Sequence, residues 1–228
     1  MRVGAGDLPA TLRVTRPPRM VAFGKQDAVA RGYSEAVVAA RRNGFDPVLR
    51  LAGGRAAVFH EGTIGLAHAV PEPSPRTGIR RRFESTADLV ARALGAVGVD
   101  ARVGEVPGEY CPGTYSVSAS GERKLAGIGQ RLIAGAAHVG VVVVASDAAR
   151  VREVLLPVYA ALGLDWDPAT TGDVAAEAAG VSWDQVRDAL LAEYAREFEL
   201  VPAELDEATL ELARSLAAEH RAPVAGVG

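Results

Sequence analysis

Cys111 is the one cysteine of this 228-residue chain, and Lys124 follows it closely. A thiolate is a far better nucleophile than a thiol, and a nearby ammonium favours it. The pair is therefore compatible with acyl transfer through a thioester. The ordinary alternatives are a cysteine packed as a small hydrophobe and a lysine exposed in a hairpin. Glu109 and Tyr110 do not suggest a deep apolar core, and Pro112-Gly113 reads as a surface turn. Geometry sets a condition. If strands pair across a two-residue Gly121-Glu122 turn, Cys111 lies opposite Leu132, roughly 26 Å from Lys124. The two can meet only if the Tyr110–Gly113 turn folds back over the sheet.

Other residues carry two readings. Gly53, Gly54 and Gly127 are turn formers, or places where a Cβ would block backbone from approaching a ligand. His60, at a strand end, is a structural hydrogen-bonding residue or a binding one. His68, His138 and His220 are too scattered for a metal site. Arg76, Arg80, Arg81 and Arg82 crowd one loop, either solvated or serving as a docking patch that speeds encounter with an acidic partner.

The elements that must position these groups follow from pattern. Thr11–Val14, Met20–Phe23, Asp46–Arg50, Ala56–His60 and Ile64–Val70 read as strands. Ala28–Arg42 reads as a helix stopped by Asn43-Gly44. Ser74–Arg82 is expected as a loop, with a helix starting at Ser85 in a capping-box-like sequence with Asp88. Tyr115–Ser120 alternates as a half-buried strand; Lys124–Leu132 and Val139–Val144 continue the sheet. Asp147 starts an amphipathic helix that Gly163 closes. Residues 172–220 read as three short helices, with Ser182 and Gln185 as a capping box and Asp206 as a cap. The expectation is an α+β fold with a mixed, largely antiparallel sheet packed with helices, residues 1–167, and a small helical segment, residues 168–228.

Composition excludes several classes. The formal charge of −3 argues against a dominant nucleic-acid role. Asp173–Tyr194 looks superficially like a helix-turn-helix, but Asp184 and Asp188 on its second helix would repel phosphate. A single cysteine fits a reducing cytoplasm. The apolar stretch Ala134–Ala145 is too short to span a bilayer and reads as a buried strand; no membrane role is expected.

Three blocks resemble a known family. Tyr110-Cys111-Pro112-Gly113-x-Tyr115, then Gly121-x-x-Lys124-x-x-Gly127-x-x-Gln130-Arg131, resembles the signature of the cysteine-dependent octanoyl-transferases of lipoate assembly. These belong to the biotin/lipoate protein ligase superfamily. Arg50-x-x-Gly53-Gly54 is similar to that family's Arg-x-x-Gly-Gly segment, and Val21–Gln26 to its opening strand and glycine. Together the matches cover roughly residues 11–165.

The resemblance implies the ligase-like catalytic fold, with Cys111 as nucleophile and Lys124 at the acyl carbonyl, where an ammonium stabilises developing negative charge. It implies that Gly53, Gly54 and Gly127 line an acyl tunnel with Arg50 at its mouth, and it places His60 and Gln130 at the substrate. Donors would be an octanoylated or lipoylated lipoyl domain such as the glycine cleavage H protein, or acyl carrier protein. Acceptors would be acyltransferase subunits of 2-oxoacid dehydrogenases. Amide-to-amide exchange is nearly thermoneutral and needs no cofactor. The alternative is a lipoate–protein ligase using ATP and Mg; a third reading is an acyl-sensing DNA-binding protein. Arg55 stands where ligases carry a third glycine, and Leu51-Ala52 where Arg/Asn-Ser is usual; both departures favour acyl over nucleotide binding. The family has a helix before its first strand, whereas about ten residues precede Thr11 here, so a late start is expected.

Overall fold

The computed structural model describes residues 1–222. A short helix α1 (Arg2–Ala5) leads into β1 (Thr11–Thr15) and β2 (Met20–Phe23), then α2 (Lys25–Ala28) and α3 (Tyr33–Arg42). Next come β3 (Asp46–Leu49), β4 (Ala57–Phe59), β5 (Thr63–Pro71) and the long α4 (Ile79–Ala96). β6 (Ala101–Val103), β7 (Val117–Ala119), β8 (Arg123–Ile133) and β9 (Ala136–Val144) precede α5 (Ala148–Leu162). The chain continues through α6 (Val174–Glu177), α7 (Trp183–Glu197) and α8 (Glu207–Leu216).

Two sheets result. The larger has the order β1-β5-β9-β8-β7-β6 and is antiparallel throughout. The smaller has the order β3-β2-β4, with β2 parallel to β3 and antiparallel to β4. The mixed, largely antiparallel α+β architecture is the expected one.

Each sheet buries its own core. Val21, Phe23 and Val58 of the small sheet pack with Val37 of α3 and Val154, Leu155 and Val158 of α5. Leu66, Val141 and Val143 of the large sheet pack with Leu89, Val90 and Leu94 of α4. Fully burying one such leucine or valine stabilises the fold by about 1.5–3 kcal/mol before entropy is counted. Val174, Val186, Leu190 and Tyr194, all beyond residue 168, belong to that second core. Gly172 N–H also donates to Lys124 O at 3.0 Å, and Ala175 N–H to Ala145 O at 2.9 Å. Among the described residues no helix is long and apolar enough to cross a membrane.

Three local expectations are corrected. The helix expected over Ala28–Arg42 begins only at Tyr33: Ala28 ends the separate α2, and Gly32 lies where a Cβ would run into Ala161 O of α5. The helix expected from Ser85 begins at Ile79, so the last four residues of the expected arginine loop, 79–82, are helical. Ser85 Oγ donates to Arg82 O instead of capping. Arg82, buried, reaches Glu72, Pro75 O and Gln130, contacts that no cap preference anticipates. The hairpin loop between β7 and β8 has three residues, Ser120 to Glu122, because Ala119 pairs with Arg123. Ser120 and Gly121 turn it with φ of 53° and 78°. The expected stops and caps at Asn43-Gly44, Asp147, Gly163, Ser182 and Asp206 are all observed.

Candidate active site

The segment 104–116 leaves the sheet and closes on itself, Gly104 N–H donating to Ser116 O at 2.9 Å. Pro107 and Gly108, the latter with φ 83°, turn it back, and Gly108 O accepts from Asp167 N–H at 2.7 Å. A compact loop with joined ends can carry function rigidly. This fold-back is what a straight hairpin lacks, and it brings Cys111 to Lys124.

Cys111 is held through each of its polar atoms. Its N–H donates to Tyr159 Oη at 2.9 Å, and that hydroxyl donates to Ala56 O at 3.0 Å. Its carbonyl accepts from Lys124 Nζ at 2.8 Å. Its sulfur accepts from Arg55 N–H at 3.1 Å and lies 3.4 Å from Arg50 Nη2. These contacts keep Cys111 at φ 45°, a left-handed conformation costing of order 1–3 kcal/mol for a side-chain-bearing residue. The thiol is half-buried.

Lys124 sits two residues past the β7–β8 turn, where a register shift between Val117 and Ser118 disturbs the pairing. It is 2 % exposed. Nζ also donates to Tyr110 O at 3.0 Å, lies 3.4 Å from Glu109 Oε1, and stands 4.8 Å over the Tyr110 ring. Burial pushes its pKa below the usual lysine value; Glu109 and then Cys111 oppose that, while Arg50 adds to it. Tyr110 and Tyr159 are both shifted upward by burial first, so their hydroxyls stay protonated. The expected shallow surroundings of Cys111 are corrected: Glu109 and Tyr110 are both buried.

Both groups line a cavity of about 1200 Å³. Leu66, Ile128 and Val141 provide apolar wall; Arg13, Arg16 and Arg131 also line it. Gly53, Gly54, Gly127, Gln130 and Arg50 all face it, but they differ in what they require. Gly54, at φ 103°, could not carry a Cβ: that atom would lie 2.8 Å from Cys111 Sγ and collide with Arg50 Nη2. A Cβ at Gly127 would touch Lys124 Cε at an ordinary 3.5 Å, and one at Gly53 would meet nothing within 4 Å. Gln130 is tied to α4, accepting from Arg82 Nε at 3.0 Å and donating to Ile79 O at 2.8 Å. His60 is not among the lining residues; its Nδ1 accepts from Gly62 N–H at 3.0 Å, and burial lowers its pKa.

Four contributors escaped sequence reasoning: Glu109, Tyr159, Asp27 and the Arg55 amide. Asp27 is fully buried, accepts from Gly24 N–H at 2.8 Å and pairs with Arg55 Nη1 at 3.3 Å. Tyr159 looks like any core position of an amphipathic helix. No local signal marks Tyr159, Asp27 or the Arg55 amide, since they are joined by contacts 28 to 103 residues apart in the chain, and Glu109 reads as an ordinary loop carboxylate.

Residues 1–195 match the family described as lipoyl protein ligase A/B catalytic domain. An octanoyl-[GcvH]:protein N-octanoyltransferase of Geobacillus kaustophilus is 31% identical over 161 residues, covering 71% of this chain and 56% of the relative. A lipoyl-[GcvH]:protein N-lipoyltransferase of Listeria monocytogenes is 30% identical over 132 residues, covering 58% of this chain and 47% of the relative. The chain thus spans about half the length of the curated relatives it matches. Among solved structures, a lipoate-protein ligase A bound with ATP superposes with a TM-score of 0.73 at 21% identity, over 92% of this chain and 82% of that one. A bipartite lipoate protein ligase from Thermoplasma acidophilum gives 0.72 at 21% identity, over 92% and 80%. The family match spans most of this chain, and the chain belongs to the lipoyl protein ligase A/B catalytic domain family.

Proposed function

We propose that this chain carries an octanoyl or lipoyl group on Cys111 and delivers it to a lysine of a lipoyl domain. The observation that carries this reading is a cavity-facing thiol held against the Arg55 amide, the Arg50 guanidinium and the Lys124-bound loop. The names of the relatives support a donor of the glycine cleavage H protein type. Acceptor lipoyl domains of 2-oxoacid dehydrogenases, and acyl carrier protein as a donor, extend the same chemistry.

The Cys111 thiolate attacks the carbonyl carbon of the donor's acyl-lysine amide. Negative charge develops on the carbonyl oxygen, where cationic or N–H donors aimed at it lower the barrier. Lys124 is the ammonium within reach once it releases the Cys111 carbonyl. The C–N bond breaks as a proton passes from Lys124 to the departing lysine amine, leaving a thioester. An acceptor lysine amine then attacks the thioester, its proton returns to Lys124, and the thiolate leaves. An amide is broken and an amide is formed, so no ATP is consumed. The apolar wall holds the acyl chain away from water, which protects the thioester from hydrolysis.

The test uses octanoylated donor domain and unloaded acceptor domain, with and without ATP. An octanoyl mass increment on Cys111, absent in Cys111→Ser, and ATP-independent transfer are expected. Transfer that requires ATP and survives Cys111→Ser would establish the ligase route with Mg and ATP instead. Salt-sensitive duplex binding by α6 and α7 would point to the DNA-binding reading, which α7 opposes by packing its buried face on α4.

A further inference from the structure

Glu109 is a buried carboxylate that the transfer chemistry leaves unassigned. Its Oε1 accepts from Gly113 N–H at 2.9 Å and from Ser116 Oγ at 2.7 Å, and it lies 3.4 Å from Lys124 Nζ. One oxygen thereby touches the residue two past the nucleophile, the end of the loop, and the amine beneath it. Its second oxygen, Oε2, has no partner among the described residues and is sealed from solvent. A carboxylate placed there at the cost of an unsatisfied oxygen must be held by a strong opposite charge, and Lys124 is the cation in contact with it.

The geometry points to Glu109 as the positioning residue of the transfer site, fastening the Cys111 loop and the Lys124 ammonium to each other through one carboxylate oxygen. This rests on the proposed acyl transfer. Lys124 Nζ donates to the carbonyls of Tyr110 and Cys111 and forms an ion pair with Glu109 Oε1 at 3.4 Å. The amine can let go of the Cys111 carbonyl to meet an oxyanion without losing its anchor, because Glu109 still holds it. The charged and titratable groups facing Lys124 are Glu109, Tyr110 and Cys111 from the loop and Arg50 from the segment after β3. β9 opposes this part of β8 with Val142 and Val143, which bring no charge. Glu109 is the one carboxylate of the set, and burial alone would favour the neutral amine.

The test compares wild type with Glu109→Gln, a variant that keeps shape and removes charge. Expected are a kcat loss of about 10²-fold, of the size general acid–base catalysis supplies, and a donor KM within about twofold of wild type. The alkaline limb of the kcat profile should move to lower pH, since the amine then surrenders its proton more readily. A merely structural carboxylate would lower the amount of folded enzyme without moving that limb. A folded Glu109→Gln enzyme with a wild-type profile overturns the inference. Should Glu109→Gln fail to fold, Glu109→Gln/Lys124→Met decides: it should fold and melt no lower than Lys124→Met, whereas an unfolded double variant overturns the inference. Absence of acyl-Cys111 in wild type would instead sink the transfer reading itself.

Discussion

The backbone conformation of Cys111 depends on neighbours that share nothing in sequence. Gly54 shows how little room they leave. Gly54→Ala should destabilise the protein by about 1–3 kcal/mol, because φ 103° is strained for any L side chain. It should also lower transfer at least tenfold, since the new methyl lies against Cys111 Sγ and Arg50. Gly53→Ala, with open space around its Cβ, should leave the melting temperature within about 2 °C of wild type. Melting curves and kcat/KM on the two variants check the contrast; equal effects would mean that the glycines act only as turn formers. Sequence brought Cys111, Lys124 and Gly54 into view because a thiol, an amine and a missing Cβ declare themselves by type, whereas Arg50 came into view through the family resemblance of its segment. Glu109 was invisible for the opposite reason. A carboxylate beside a turn reads as solvated unless the fold-back that buries it is known, and that fold-back is closed by Gly104 with Ser116 and Gly108 with Asp167.

At the level of elements, α7 decides whether the C-terminal part is an appendage. Trp183 Nε1 donates to Thr63 O at 2.8 Å, Arg92 of α4 pairs with Glu193, and Leu190 is fully buried beneath them. Leu190→Ala should cost about 2–5 kcal/mol, as for other buried leucines, whereas Leu156→Ala, half-exposed on α5, should cost under about 0.5 kcal/mol. Urea unfolding should show one transition; two would restore an independent unit after residue 168. His68 of β5 stands edge-on to Tyr194 and Phe198, and burial depresses its pKa, with His138 adding to the effect. The unfolded chain then binds more protons below its unperturbed value near 6.5, so stability is lost as pH falls through that value and levels off below the depressed one. His68→Phe should flatten this acid-side slope, measured by urea unfolding at several pH values. The sequence periodicity of α5, β8 and β9 was readable because one face of each is consistently buried. The true start of α4 was not, because it is set by Arg82 reaching Glu72 and Gln130 across the sheet edge.

Over the whole molecule, charge is unevenly placed. The net charge is −3, yet among the described residues the cavity lining includes Arg13, Arg16, Arg50 and Arg131 and no aspartate or glutamate. Of the four arginines picked out by sequence, Arg82 is buried, while Arg76, Arg80 and Arg81 stay exposed, Arg80 paired with Glu84 and Arg81 3.9 Å from Glu72. If acidic lipoyl domains present their lysine to the cavity, kcat/KM should fall with added salt while kcat changes little. Arg13→Gln should weaken that dependence. A salt-independent kcat/KM would remove electrostatic steering from the account.

The Tyr159 hydroxyl joins the helix of one core to a loop that comes out of the other sheet. It is anchored in α5, leans on the strand segment at Ala56, and grips the amide of the loop that emerges from the large sheet. A chain with only one half condensed would therefore own an ordinary thiol, neither aimed nor supported. Labelling of that thiol by an acyl donor would then serve as a gauge of completed assembly, silent during folding and switched on at its last step.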